Sequence, residues 1–77
     1  METMTILIDN IFDLKRFNNI AMTFPCEIDV ISGRYTVDGR SLMGLLSLDL
    51  SKPVQIEYRT EYREIAKLYF TKFEVKA

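Results

Sequence analysis

The chain of 77 residues contains no histidine and only one cysteine, Cys26. A single thiol cannot form an intrachain disulfide, and without histidine it supplies no metal site of conventional ligand spacing. We therefore expect no metal, no cofactor and a reducing compartment. Because no imidazole is present to activate the thiol, Cys26 is expected to be a small buried or half-buried hydrophobe and not a nucleophile.

The chain also lacks a large net charge, since its ten basic and eleven acidic residues sum to -1. This balance gives no long-range attraction toward nucleic acids or anionic lipid surfaces, so neither is an expected partner. Residues 1–9 contain no basic segment, and their apolar run is too short for a signal peptide or a membrane span. The expected location is the cytoplasm.

Apolar residues make up 48% of the chain and charged residues 27%, which is the balance of a globular protein. A domain of this size buries only about 60% of the surface of its unfolded chain, so one core is all it can form. Residues 1–77 are therefore expected to fold as a single domain.

The hydrophobic pattern changes period along the chain and predicts the element order βαββαβα. Segments rich in strand formers predict strands at 3–8, 27–31, 34–38 and 54–59. Apolar residues at helical spacing predict helices at 11–24, at 41–48 and from Thr60 onward. A turn at Gly33 makes the second and third strands a hairpin. The result is an α+β sandwich with one face of its sheet covered.

The last predicted helix carries a large share of the aromatic residues, and Thr60 is placed to cap it. Its apolar stripe consists of Tyr62, Ile65, Ala66, Tyr69 and Phe73, widened by Leu68 and Phe70. Acidic and basic residues alternate over the remaining positions. We expect the stripe to pack against the sheet and the charged positions to form a solvated face.

Residues 37–48 read Val-Asp-Gly-Arg-Ser-Leu-Met-Gly-Leu-Leu-Ser-Leu. This segment resembles the most recognisable part of the HPr family, the phosphocarriers of the bacterial sugar phosphotransferase system, in which a regulatory serine precedes Leu/Ile-Met-Gly. The resemblance extends over residues 20–58, including Phe24 and Gly33. It implies an open-faced β-sandwich whose antiparallel four-stranded sheet has the order 1-4-2-3, with three helices on one face.

The same resemblance locates the active site of the family at the junction of the first strand and the first helix. There, HPr proteins carry a histidine that accepts a phosphoryl group from enzyme I and an arginine that stabilises the product. Counting back from Phe24 without gaps, Asn10 stands at the histidine position and Phe12 at the arginine position. Because the chain has no histidine at all, no other alignment restores the acceptor. We predict a protein that is not an enzyme and has no catalytic residue.

The residues now at this position predict an ordinary helix start. Asn10 is a favourable N-cap, and Asp13 is placed to interact with the amides of the first turn. Asp9 and Asp13 would also repel a bound phosphate. The alternative is that one of these carboxylates accepts a phosphoryl group as an acyl phosphate, although no acidic metal site or suitably placed lysine supports that chemistry.

Ser41 matches the serine that HPr kinase phosphorylates in Gram-positive bacteria, creating a form that binds a catabolite-control repressor. A phosphoserine at a helix N-terminus would lie among unpaired N–H groups, with Arg40 adjacent. Ser41 is therefore a candidate regulatory phosphorylation site. The alternative is that Ser41 is only the N-cap of the helix at 41–48, where serine is a favoured residue.

HPr proteins bind their partners through an apolar face that corresponds here to Leu42, Met43 and Leu46. The inward positions of the same segment are expected to be Leu45, Leu48 and Leu50. We expect the outward residues, together with Arg40, to form a partner-binding surface in which Met43 makes adaptable contacts. The alternatives are an inherited patch without a partner and a patch used for self-association.

These predictions favour a degenerate member of the HPr family that acts as a non-catalytic binding or regulatory module through the helix at 41–48. The implied partners are HPr kinase, a transcriptional regulator or components of the phosphotransferase system. Two alternatives stay open at this point. One is a phosphoryl carrier that uses an acceptor other than histidine, and the other is a structural module of a larger assembly.

Overall fold

The computed structural model describes residues 1–75. Its helices and strands, in chain order, are β1 (Glu2–Ile6), α1 (Ile11–Thr23), β2 (Asp29–Ser32), β3 (Tyr35–Asp38), α2 (Leu42–Leu46), β4 (Val54–Tyr58) and α3 (Arg63–Phe70). Single turns of 3-10 helix flank α3 at Thr60–Tyr62 and Thr71–Phe73. The predicted α+β class and the order βαββαβα are confirmed.

The four strands form one antiparallel sheet in the order β1-β4-β2-β3, which confirms the predicted topology. β2 and β3 are joined by a two-residue turn that begins at Gly33. Gly33 has a φ of 59°, a left-handed conformation that costs glycine nothing but strains residues with a Cβ. The hairpin glycine predicted from the sequence therefore has a conformational reason.

Side chains alternate between the two faces of the sheet. The buried positions, which pack against the helices, are Met4, Ile6, Val30, Val54, Ile56 and Tyr58. The positions between them, such as Thr3, Asp29 and Gln55, are exposed or half-buried. All three helices therefore lie on one face of the sheet, and among the described residues nothing covers the other face, as predicted.

The core between sheet and helices contains a cluster of three phenylalanines. The ring centroid of Phe70 in α3 lies 5.3 Å from that of Phe17 and 5.5 Å from that of Phe24. Phe17 belongs to α1, and Phe24 directly follows it. Tilted ring contacts at these distances add to the stabilisation that comes from burial alone. This cluster holds α1 and α3 together.

The predicted stripe of the last helix is wrong in part. Leu68 is 77% exposed and Tyr69 is 48% exposed, whereas Phe70 is fully buried. Thr60 does not cap α3 either, since it begins a 3-10 turn and neither N-cap residue makes a side-chain hydrogen bond. A 3-10 turn has three residues per turn in place of 3.6, so the helical phase shifts where the two forms meet.

Other predicted bounds need smaller corrections. The second strand begins at Asp29, two residues later than predicted. The helix predicted at 41–48 is shorter, because only Leu42–Leu46 is helical. It ends where the Ser47 hydroxyl donates a hydrogen bond to the carbonyl oxygen of Gly44 at 2.6 Å. That bond, together with the Ser47 N–H bond to the same carbonyl, closes the last turn.

The outer edge of β1 is covered by the segment that follows α3. Leu7 N–H donates to the carbonyl oxygen of Phe73 at 2.9 Å, and Val75 N–H donates to that of Thr5 at 3.0 Å. β3 forms the opposite edge and, among the described residues, has no strand on its outer side. Within residues 1–75, no helix combines the length and the apolar character needed to cross a lipid bilayer.

Candidate functional site

The start of α1 is closed by its own side chains. Asn10 has an extended backbone, and its Oδ1 accepts a hydrogen bond from the N–H of Asp13 at 2.8 Å. Asn10 Nδ2 donates to Oδ1 of Asp9 at 3.0 Å and to Oδ2 of Asp13 at 3.3 Å. Asp13 also forms an ion pair with Arg16 at 3.7 Å. The predicted N-cap is confirmed, and two carboxylates stand where an incoming phosphate would meet the helix dipole.

Apolar side chains stand out into solvent beside this cap. Phe12 is 76% exposed, and Ile11 is also exposed. The sequence pattern included Ile11 among the apolar residues at helical spacing. Its exposure corrects the expectation that it lies on the buried face of the helix. Two adjacent residues differ by about 100° around a helix axis, so with Leu14 inside, the first turn cannot bury all three.

Ser41 caps α2. Its backbone is extended, and its Oγ accepts a hydrogen bond from the N–H of Gly44 at 3.1 Å. The carbonyl oxygen of Ser41 accepts the N–H of Leu45 at 3.0 Å. The capping role is therefore confirmed. Ser41 is an exposed residue of the folded chain.

Gly44 lets α2 lie close to β3. A Cβ at this position would be 3.3 Å from the Cβ of Val37 and 3.2 Å from the capping oxygen of Ser41. Both separations are tighter than ordinary van der Waals contact. The Met-Gly step of the segment at 37–48 therefore has a packing reason: the glycine seats the helix on the edge strand of the sheet.

Arg40 is engaged by acidic residues and not by Ser41. Its Nη2 lies 2.7 Å from Oδ2 of Asp38, its Nε donates to the same carboxylate at 3.1 and 3.2 Å, and Glu27 lies 3.8 Å away. The side-chain hydrogen bonds from Arg40 hold the pKa of Asp38 below its ordinary value. Arg40 would have to give up its ion pair with Asp38 in order to contact a phosphate on Ser41.

The outward residues of α2 differ in exposure. Met43 is 79% exposed and Leu46 is 51% exposed, while Leu42 is half-buried against the core. The predicted inward residues pack as expected, since Leu45 is fully buried and Leu48 and Leu50 are half-buried against the core. The exposed apolar part of α2 therefore consists of Met43 and Leu46.

α1 and α2 are neighbours in the helical layer and contact one another. A depression of about 300 Å³ lies between the start of α1 and the residues Leu50 and Ser51, which follow α2. We use the name docking surface for Ile11 and Phe12 of α1 with Met43 and Leu46 of α2. All four side chains are apolar and exposed, and they lie on two helices that contact one another.

Other candidate chemistry is sparse in the described part of the chain. Cys26 is half-buried, and its Sγ donates to the carbonyl oxygen of Glu27 at 3.5 Å. Within residues 1–75, no three cysteine or acidic side chains converge as they would around a metal ion. No protein-family model matches the chain. A search of curated proteins also found no significant match.

Proposed function

We propose that the chain is an HPr-like, non-catalytic binding module that acts through the docking surface. The observation that carries the proposal is the exposure of Met43 and Leu46 on α2 together with that of Phe12 on α1. Burying large apolar side chains on a partner releases about 1.5–3 kcal/mol for each side chain that is fully covered. The resemblance of residues 37–48 to HPr proteins supplies the partner class: enzyme I, HPr kinase or a transcriptional regulator.

The start of α1 supports a binding role over phosphoryl transfer. In this proposal Asn10 replaces the acceptor, and the carboxylates of Asp9 and Asp13 are hydrogen-bonded to its amide. An anion arriving there would meet two negative charges and a first-turn N–H that is already capped. Phe12 then adds contact area where a phosphocarrier needs positive charge.

The docking proposal is tested with purified enzyme I and purified HPr kinase as probes. Isotope-labelled protein is titrated with each probe, and backbone amide shifts are followed by NMR. We expect the changes to centre on Phe12, Met43 and Leu46, and Met43→Asp to weaken binding by about tenfold or more. Leu68→Asp is the matched control, because Leu68 is equally exposed on α3. Equal loss in both variants, or no binding of either probe, contradicts the proposal.

Absence of phosphoryl transfer is tested separately with enzyme I and labelled phosphoenolpyruvate. We expect no stable label on the wild-type chain. A label that persists in Asn10→Ala and disappears in Asp9→Asn or Asp13→Asn identifies a carboxylate acceptor. That result would favour the carrier alternative over the binding module.

A regulatory role for Ser41 forms part of the proposal. HPr kinase and ATP are expected to add one phosphate to the wild-type chain and none to Ser41→Ala. Phosphate oxygens can accept the Gly44 N–H that the hydroxyl accepts now, so the cap of α2 is kept. Ser47→Ala serves as a control, because Ser47 is also an exposed serine at an end of α2. No modification of the wild type excludes this switch.

A further inference from the structure

A groove of about 720 Å³ lies between the β2–β3 hairpin and the segment that joins α2 to β4. Its apolar lining includes Val37, Leu48 and Pro53. Tyr35 lines the same groove and is 72% exposed. The volume falls within the range of about 300–1,000 Å³ typical of small-molecule sites, which are mostly apolar with few polar groups. Neither Met43 nor Leu46 lines it, so the groove is separate from the docking surface.

The charged residues of the groove are two cations and one anion. Arg34 and Lys52 supply the positive charge, and Asp49 supplies the negative charge. Among the described residues, Arg34 forms no ion pair. The carboxylate of Asp49 already accepts the N–H of Ser51 at 3.1 Å and the hydroxyl of Ser51 at 2.5 Å. A net positive charge therefore lines this groove in a chain whose own net charge is -1.

This combination selects a class of ligand. A guanidinium without an ion-pair partner in the protein can bind a carboxylate through two parallel hydrogen bonds. This pairing is stronger where the ligand shields it from water. The apolar lining and the exposed ring of Tyr35 give an aromatic or branched aliphatic group a surface to cover. A cationic ligand would instead meet the two positive charges of Arg34 and Lys52 against the single negative charge of Asp49.

We propose that the groove binds a small amphipathic carboxylate. Its apolar part lies against Tyr35, Val37 and Leu48, and its carboxylate pairs with Arg34. Lys52 adds long-range attraction. This site goes beyond the docking proposal and does not depend on it.

The probe for this site is phenylacetate, followed by NMR titration of the isotope-labelled chain at low ionic strength. We expect saturable amide shifts confined to residues 32–37 and 47–53. Phenylacetamide is the matched neutral probe, and phenylacetate is expected to bind about threefold more tightly because of the charge pair. Phenethylamine, which carries the opposite charge, is expected to bind more weakly than either.

Variants separate the charged part of the site from the apolar part. Arg34→Gln is expected to abolish the preference for phenylacetate over phenylacetamide, whereas Lys15→Gln, an exposed cation on α1, is expected to leave it intact. Tyr35→Ala is expected to weaken both probes alike. All three residues are exposed, so the fold should persist, and the dispersion of the amide spectrum verifies it.

Several results would overturn the proposal. One is equal affinity for phenylacetate and phenylacetamide in the wild-type chain. Another is a set of shifts centred on Met43 and Leu46, and a third is no saturable shift below about 10 mM, the weak limit of specific recognition. A fourth is tighter binding of N-acetyl-leucyl-glutamate amide than of phenylacetate. That result would indicate that the groove binds a protein segment and not a small carboxylate.

Discussion

The side-chain amide of Asn18 donates a hydrogen bond to the carbonyl oxygen of Gly39 at 3.1 Å. Asn18 is the only buried polar side chain among residues 1–75 apart from Tyr58, whose ring carries a hydroxyl. On its other side, the N–H of Gly39 donates to the carbonyl oxygen of Ile28 at 2.7 Å. The residues that lead into Ser41 are therefore fixed to α1 and to the segment before β2, so the interior of the protein sets the position of α2.

Replacing Asn18 tests this connection. Asn18→Ala leaves the carbonyl oxygen of Gly39 without its buried donor, which costs about 1–3 kcal/mol of unfolding free energy. Asn19→Ala is the matched control, because Asn19 is exposed on the same helix. Urea unfolding followed by circular dichroism measures both variants. A loss of similar size in the two variants would show that the buried hydrogen bond is not the cause.

The cap of α1 gives a second prediction. Asn10→Ala removes the acceptor of the Asp13 N–H and should lower the unfolding free energy by about 1 kcal/mol. Asn10→Ser keeps a capping oxygen and should retain most of the stability. Thermal and urea unfolding compare the three chains. If serine is no better than alanine, capping does not explain the residue at this position.

The pair formed by Asp38 and Arg40 predicts a dependence of stability on pH. Hydrogen bonds from Arg40 lower the pKa of Asp38 from its ordinary value of 3.8. Because the folded state favours the charged carboxylate, this stabilisation is complete well above pH 4 and is lost as the pH falls through 3.8 toward the folded-state pKa. Asp38→Asn should therefore be less stable than wild type at pH 7, with a difference that shrinks toward pH 3.

Urea unfolding at several pH values measures that difference directly. The effect is small, because both side chains are largely exposed and salt screens the pair. Raising the ionic strength at pH 7 should narrow the gap further. A gap that is independent of both pH and salt would mean that the substitution acts through the turn at residues 38–40 and not through charge.

The packing of α3 gives a fourth prediction. Phe70→Ala removes a fully buried ring and should cost about 3–5 kcal/mol, a large share of the stability of a small domain. Leu68→Ala, two residues earlier on the exposed side, should change the stability by less than about 0.5 kcal/mol. Urea unfolding of both variants measures this contrast. Comparable losses in the two variants would support the stripe expected from the sequence, which contained both residues.

The strand order of the fold was implied by the resemblance to the HPr family. The class and the element order were predictable because they depend on periodicity and on chemistry local to each segment. Gly33 and the caps at Asn10 and Ser41 are local signals of this kind. The orientation of α3 was not predictable. It depends on the 3-10 turns on either side, and a sequence window does not distinguish these from α-helix.

Some features of the candidate site were likewise predictable from the sequence, and others were not. The exposure of Met43 and Leu46 was predictable, since a helix this short cannot turn every apolar side chain inward. Three features depend on tertiary structure: the exposure of Ile11, the ion pair of Arg40 with Asp38, and the groove beside Tyr35. The adjacent apolar pair at 11 and 12 was a partial signal, because a helix directs neighbouring side chains apart.

The bridge between Ile6 and Glu74 joins the beginning of the described chain to its end. Among the described residues, β1 pairs only with β4 and with this final segment, so both of its neighbours are synthesised long after it. A ribosome-bound chain therefore holds β1 unpaired until β4 has emerged, and contacts of such long sequence separation slow folding. Folding of this domain is accordingly expected to wait until β4 and residues 71–75 have left the ribosome.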